Sequence, residues 1–343
     1  MADFFYEYFL FLAKTVTIVG ALILVLLVVA ARSSDRDRRT RERLDITPLN
    51  KRYKDIEQTL LSVILSKEEW KKRLKKIKQE EKHQSRSISA DRSRKRIFVI
   101  DFDGDIRAAA VANLREEITA VLTTATPADE VFVRLESAGG LVHSYGLGAS
   151  QLQRVRERNI PLTVSVDKIA ASGGYMMACV ANKIIAAPFA IVGSIGVLAQ
   201  LPNFNRFLKK HDIDFEMFTA GKYKRTVTLF GENTDEGRAK FRQELEQMHE
   251  LFKRFIAAHR PQVDLDHVAT GEHWLAQNAH ALHLVDELIT SDDYLFAASK
   301  EADLFEIRYS EKKPLAERFS ELTGRALDRL TTRWVGRNPE QQT

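Results

Sequence analysis

The stretch PLTVSVDKIAASGGYMMACVANKIIAAPFAIVG, Pro161–Gly193, changes its pattern three times. PLTVSVD is short, apolar and β-branched, which predicts a buried strand. AASGG then places one hydroxyl, Ser172, between two alanines and two glycines, and the apolar run with Tyr175, Met176 and Cys179 predicts a helix opening there. KIIAAPFAIVG returns to a strand pattern. Strand, glycine-marked junction, helix and strand make a βαβ unit, whose crossover leaves its strands parallel.

The same alternation extends upstream. RIFVIDFDG (96–104) and EVFVRLES (130–137) predict strands, and VANLREEITAVLTTA (111–125) and GLGASQLQRVRER (146–158) have helical spacing. The expected fold class is therefore α/β with a mostly parallel sheet. Sites in such folds lie where strands end and helices begin. Both glycine-rich turns, ESAGG (136–140) and AASGG (170–174), fall at such junctions.

Composition narrows the function classes. With 343 residues, 44% of them hydrophobic and 29% charged, the chain can build one large core or two ordinary ones. Its single cysteine excludes an intramolecular disulfide, and no Cys/His cluster has zinc-site spacing. The net charge of +5 is unevenly placed: residues 32–96 hold 22 Lys/Arg against 11 Asp/Glu, whereas residues 97–343 carry a net −5. The basic character thus belongs to a tether, and nucleic acid is not an expected partner of the domain. No glycine loop of Walker type occurs, so no nucleotide cofactor is expected, nor a metal.

The N-terminus reads as a membrane anchor, residues 1–31. TVTIVGALILVLLVVAA, Thr15–Ala31, carries no charge and reaches the ~20 residues a bilayer needs once Phe9–Lys14 is added. A cleaved signal peptide would open on basic residues, but Asp3 and Glu7 stand there. A buried core helix would not be apolar on every face beside a block of charge. Arg32, Arg36, Arg38, Arg39, Arg41 and Arg43 follow the run, which by the positive-inside rule keeps the C-terminal side in the cytoplasm. Residues 32–95 read as a charged stalk. Its lysine-dense helix is either a solvated face or a surface for anionic lipid headgroups, and QSRSISADRSRK (84–95) reads as a linker. The apolar stretch from Ile184 to Leu201 contains Pro188, Gly193 and Gly196 and is expected in the core rather than in the membrane.

Ser172 poses the chemical question. A serine at a helix N-terminus is often only a cap. Against that, Ala170 and Ala171 leave its hydroxyl open, Gly173 and Gly174 let a substrate backbone approach, and Gly139–Gly140 could aim N–H groups at an oxyanion. A serine nucleophile needs a base. The G-x-S-x-G elbow is absent, because Ala170 stands where its first glycine would be. His143 reads more simply as a surface or helix-start residue, and Ser310 with Lys313 lies in a polar, charged stretch. MFTAGKYKRTVTLFGEN (217–233) offers Lys222 and Lys224 between apolar flanks, where burial would disfavour an ammonium; a solvated loop cation is the alternative for either.

Several motifs in order settle the comparison: VRLESAGG (133–140), VDKIAASGGYMMACVA (166–181), APFAIVGSIGV (187–197), PNFNRFLK (202–209), GKYKR (221–225), LFGENT (229–234) and VATGEHW (268–274). Together with the N-terminal span and the basic stalk, the chain resembles the signal peptide peptidase A family of membrane serine proteases. The resemblance implies a ClpP/crotonase-like fold and a Ser–Lys dyad, with Ser172 as nucleophile and Lys224, the lysine after Tyr223, as general base. It implies Gly139 or Gly140 as oxyanion donor, Gly173 as a second, and Ser194 of GSIG lining the site and orienting the amine. It also implies extended apolar peptides as substrates, attachment to a bacterial inner membrane by one span with a periplasmic peptidase as the alternative to the cytoplasmic side the arginines favour, and a homo-oligomer in which Ser172 and Lys224 come from different copies. The peptidase domain is then expected over 96–290 and a helical extension over 291–343. Three positions depart from the family's usual pattern: in the N-S-P-G-G turn Glu136 replaces asparagine, which puts a carboxylate at the site or its rim, and Ala138 replaces proline, which relaxes the turn, and His283 replaces glycine in G-L-V-D-E. The other function classes are an acyl-CoA enzyme of crotonase type, for which Glu136 is the nearby carboxylate, and a non-catalytic membrane scaffold.

Overall fold

Phe98, Ile100 and Phe102 pack into one core while Ile97 and Val99, the residues between them, pack into another. The neighbouring strand divides the same way, with Val131, Val133 and Leu135 on the first face and Phe132 on the second. Strand side chains alternate with a period of two, so a sheet clad on both faces needs these near-continuous apolar runs. Each fully buried aliphatic side chain contributes roughly 1.5–3 kcal/mol.

The computed structural model describes residues 42–87 and 94–311, together with residues 6, 10–12, 14–19 and 21. In chain order the elements are β1 (Glu42–Pro48), α1 (Leu49–Ile64), α2 (Lys67–Ser87), β2 (Arg96–Gly104), α3 (Val111–Leu122), β3 (Glu130–Ser137), α4 (Val142–Arg156), β4 (Leu162–Val166), β5 (Ile169–Ala171) and α5 (Gly173–Ala178). There follow β6 (Lys183–Ala186), β7 (Ile191–Gly193), α6 (Asn205–Lys210), α7 (Asp235–His259), α8 (Leu265–Val268), β8 (His273–Leu275), α9 (Ala276–Ala281), β9 (Glu287–Leu288), α10 (Ser291–Ala298) and β10 (Asp303–Glu311).

Asp45–Arg308 forms one unit around a sheet whose main path runs β10-β2-β3-β4-β6-β9. Every pairing on that path is parallel. The architecture is thus mixed α/β with a mostly parallel sheet, as the sequence alternation predicts. Strand β3 changes partner along its length. Val131–Arg134 pair with β4, but Ser137 pairs with Ala170 of β5, which in turn pairs with β7. The switch carries the end of ESAGG alongside AASGG. The start of β2 is locked to the turn before β3 by Arg96, whose guanidinium donates to Asp129 Oδ1 at 2.8 Å and Oδ2 at 2.5 Å.

Several expectations are corrected. KIIAAPFAIVG is two strands, β6 and β7, interrupted around Pro188, which cannot donate to a ladder. The boundary at 290 is misplaced: Asp303–Ile307 pair with Arg96–Ile100, so the segment expected as a helical extension supplies a strand of this sheet. Residues 312–343 lie outside the described residues. The stalk is rooted in the body. Leu49 is buried, and the Asn50 side chain donates to the Ser299 and Ala302 carbonyls at 2.9 Å and accepts the Leu304 N–H at 2.7 Å. The end of the linker is also held, since Arg94 donates to the Lys300 carbonyl at 2.8 Å. Most of the expected anchor, residues 1–31, lies outside the described residues, and among the described residues no helix is long and apolar enough to cross a membrane.

His283 explains its own departure. The Leu284 N–H bonds to the Ala279 carbonyl at 3.0 Å and the His283 N–H to the His280 carbonyl at 3.1 Å. That pair is the Schellman closure of α9, with His283 at the position after the cap and φ +59°. Glycine adopts this backbone without cost; histidine must be held there.

Candidate active site

Strands β5 and β7 run parallel with Ala171 opposite Gly193, and each ends in a serine. Ser172 and Ser194 both have φ +51°, a backbone state non-glycine residues rarely occupy. Ser172 is tied down on both sides: its N–H donates to the Gly193 carbonyl at 2.8 Å and its carbonyl accepts the Met176 N–H at 2.9 Å. Its ψ is −116°. Its side chain, half-buried at the start of α5, caps nothing and makes no hydrogen bond among the described residues. The cap reading of Ser172 therefore falls, and what remains is a hydroxyl held in place by strained backbone.

Gly139 lies against this residue. A Cβ built on it would stand 2.8 Å from Gly173 N, from Ala171 O and from the Ser172 Cβ, and its φ is +90°, so only glycine fits. The Gly139 N–H is already committed, donating to Ser137 Oγ at 3.0 Å. The Gly140 and Gly173 N–H groups meet no acceptor among the described residues. Gly140 is wedged against the Ile106 carbonyl, where a side chain would collide. Of the three glycines singled out from sequence, two thus present unengaged donors, and the third positions the turn.

Beneath the turn lies a pair the sequence reading passed over. Ser137 Oγ and the Tyr145 hydroxyl are hydrogen-bonded to each other. Ser137 also bonds the Gly104 carbonyl at 3.0 Å, and Tyr145 donates to the Asp105 carbonyl at 2.7 Å. Tyr145 is fully buried, and burial pushes its phenol above the ordinary value, keeping it a neutral donor. The signal was a tyrosine on the first turn of α4, in a stretch that otherwise favours small residues.

Ser194 is half-buried, and its N–H donates to the Glu272 carbonyl at 2.6 Å. The hydroxyl has no partner among the described residues. The GSIG turn is therefore fixed from VATGEHW, which gives that motif its role.

The lysine loop is built by three asparagines. Asn203 donates to the Thr228 and Gly231 carbonyls at 2.9 and 3.0 Å, Asn205 to the Phe230 carbonyl at 2.9 Å, and Asn233 accepts the Thr228 N–H at 2.8 Å. Phe204 stacks on Phe230 at 6.0 Å. PNFN and LFGEN are thus one frame that holds GKYKR. Lys222 is paired with Glu236 at 2.8 Å and sits 5.1 Å over the Tyr223 ring. Lys224 is exposed, and its amine has no partner among the described residues. The expected burial of Lys224 does not occur within one chain: of the apolar residues flanking it in sequence, Phe218 is 90% exposed and Phe230 41%, while Val227 and Leu229 are only half-buried. Ser172 and Lys224 make no hydrogen bond with one another.

Glu136 is salt-bridged to Lys168 at 2.8 Å. It alternates with Ser137 along β3 and so faces away from the glycine turn, which removes the carboxylate an acyl-CoA enzyme would need. A hollow of about 340 Å³ beside it is lined by Asp103, Glu136, Asp167 and Lys168 among others. Among the described residues no group of His, Cys, Asp or Glu is placed to hold a metal.

Comparison with known proteins matches residues 3–152 to the model described as peptidase family S49 N-terminal and residues 154–305 to that of peptidase family S49. A probable protease SohB of Haemophilus influenzae is 47% identical, covering 92% of each chain. A probable protease SohB of Buchnera aphidicola is 48% identical, again over 92% of each. Protease 4 of Salmonella typhi is 28% identical over 52% of this chain and 28% of its own length.

Proposed function

Because the chain belongs to peptidase family S49, and is thereby a serine-type peptidase, we propose that it cleaves extended apolar peptides with Ser172 as nucleophile and Lys224 as general base. The observation that carries this reading is the strained, unbonded Ser172 hydroxyl beside the unengaged N–H groups of Gly140 and Gly173. A mostly parallel sheet with a switch of partners at β3 fits a ClpP-like architecture for it.

In the proposed reaction the neutral Lys224 amine takes the Ser172 proton as the oxygen attacks the substrate carbonyl. The Gly140 and Gly173 N–H groups receive the oxyanion; such donors each contribute ~10²–10³ in rate. The protonated lysine then delivers its proton to the leaving amine, and water, deprotonated by the same amine, hydrolyses the acyl-enzyme. Ser194, beside Ser172 across β5 and β7, accepts a hydrogen bond from the amine and orients it.

Lys224 is proposed to reach Ser172 of another copy in a homo-oligomer. Support comes from its exposure and from exposed apolar surface on its own loop, where Phe218 is 90% exposed, and on α6, where Phe207 is 58% exposed. Covering that surface would dry the amine and favour its neutral form. Residues 15–31 are proposed to anchor the protein in a bacterial inner membrane, with Arg32–Arg43 holding the peptidase on the cytoplasmic side. The substrates are then signal-peptide remnants or membrane-protein fragments.

The test is complementation. Ser172→Ala and Lys224→Met proteins are each expected to be inactive, and mixing them under subunit exchange to restore a fraction of cleavage. Undiminished cleavage by either single variant refutes the dyad. Inactive singles that stay inactive after demonstrated exchange place both groups within one copy.

A further inference from the structure

Three segments that are distant in sequence meet at the Tyr145 side chain. Its hydroxyl reaches the end of β2 through the Asp105 carbonyl at 2.7 Å, and Gly104 leaves room for it, since a Cβ there would lie 2.6 Å from the oxygen. The same hydroxyl bonds Ser137 Oγ, and Ser137 Oγ accepts the Gly139 N–H at 3.0 Å. The ring lies under Gly173, where a Cβ would stand 2.7 Å from Tyr145 Cδ2. Phe102 closes the other side with an edge-on contact at 6.5 Å.

Two hydroxyl hydrogens serve three oxygen pairs. Tyr145 donates its one hydrogen to the Asp105 carbonyl, the Ser137 hydrogen goes to the Tyr145 oxygen with the Gly104 carbonyl as its alternative acceptor, and a Ser137 lone pair receives the Gly139 N–H. One buried side chain is therefore joined to the turn carrying the Gly140 N–H through its hydroxyl and to the residue carrying the Gly173 N–H through its ring.

We propose that Tyr145, acting through Ser137, is a positioning residue that sets the separation of the two oxyanion donors, Gly140 and Gly173. It does not touch substrate. The inference rests on Ser172 being the nucleophile. Its consequence is specific: loss of the hydroxyl harms the transition state and leaves ground-state binding alone, because misplaced donors matter only once the carbonyl oxygen becomes negative.

The experiment uses the full-length protein and a fluorogenic apolar peptide, with Tyr145→Phe, Ser137→Ala and the double variant. Each single variant is expected to lose about 10- to 100-fold in kcat with KM within about threefold. A peptide boronate, which places a tetrahedral oxygen in the donors, should weaken by a similar factor, while a product peptide binds as before. The double variant should be no worse than the more impaired single, since both break one connection. Tyr145→Phe keeps the ring under Gly173, and Ser137→Ala keeps all of Tyr145, so a folding failure in one leaves the other to decide. A lowered melting temperature with wild-type kcat and boronate affinity in both variants overturns the proposal and leaves a structural role. Ser172→Ala run in parallel separates the premise: continued cleavage by it overturns the dyad and this inference together. A dead Ser172→Ala beside a fully active Tyr145→Phe and Ser137→Ala overturns this inference alone.

Discussion

The Ser172 N–H donates to the Gly193 carbonyl at 2.8 Å, and this one bond couples the two serines that end β5 and β7. It holds Ser172 at φ +51° and ψ −116° and brings Ser194, one residue past Gly193, alongside it. The consequences can be measured.

Strain at Ser172 should appear as stability recovered when it is relieved. Glycine tolerates the backbone that serine is forced into, at a saving of order 1–3 kcal/mol less the extra chain entropy glycine brings. Ser172→Gly is therefore expected to be about 1 kcal/mol more stable than Ser172→Ala in urea unfolding, both being inactive. Equal stabilities would mean that the position is unstrained.

Ser194→Ala removes the hydroxyl and keeps the backbone. If that hydroxyl orients the lysine amine, kcat should fall about tenfold with KM unchanged, and the alkaline rise in the rate should shift to lower pH, because an acceptor favours the charged amine and its loss favours the neutral one. An unchanged pH profile would reduce Ser194 to a turn residue.

His283→Gly tests the helix-end argument. At the φ +59° position of a Schellman closure glycine is favoured over histidine by about 1 kcal/mol. The variant should melt a few degrees higher without change in activity, as read by differential scanning calorimetry.

Acid should strip out one identifiable contribution. Burial alone would raise the Asp129 carboxyl, but hydrogen bonds from Arg96 and from Thr126, with the Arg96 charge, outweigh it and lower the pKa from the ordinary 3.8 to about 2. Because the folded value lies below the unfolded one, the stabilisation is fully present above about pH 4 and is lost as pH falls toward 2; at neutral pH it amounts to about 2 kcal/mol. Unfolding of Asp129→Asn and of the unchanged protein should differ by that amount at pH 7 and converge between pH 4 and 2. A gap that persists at pH 2 would assign Asp129 a role other than its charge.

Strands β2 and β3 were legible to the residue in RIFVIDFDG and EVFVRLES, because burial on both faces of a sheet leaves a continuous apolar run that needs no knowledge of the partner strand. Both glycine turns were legible for a related reason: a chain that must reverse at a strand end needs residues without a Cβ. The division of KIIAAPFAIVG was harder, since only Pro188 marks it. The strand at 303–311 was missed because it pairs with a segment about two hundred residues earlier and looks helical beside its neighbours.

By itself, then, the amino-acid order determined the alternation of strands and helices, the two junctions where chemistry belongs, and the serine at one of them. Those are local properties, written in periodicity and side-chain size. Only the tertiary structure decided that Ser172 is strained rather than capping, that the Gly139 N–H is spoken for while Gly140 and Gly173 remain open, that Tyr145 underlies both, and that Lys224 is left in water within one chain. Backbone angles, hydrogen-bond partners and solvent exposure at these residues are set by segments far away in the chain, and no window of sequence contains them.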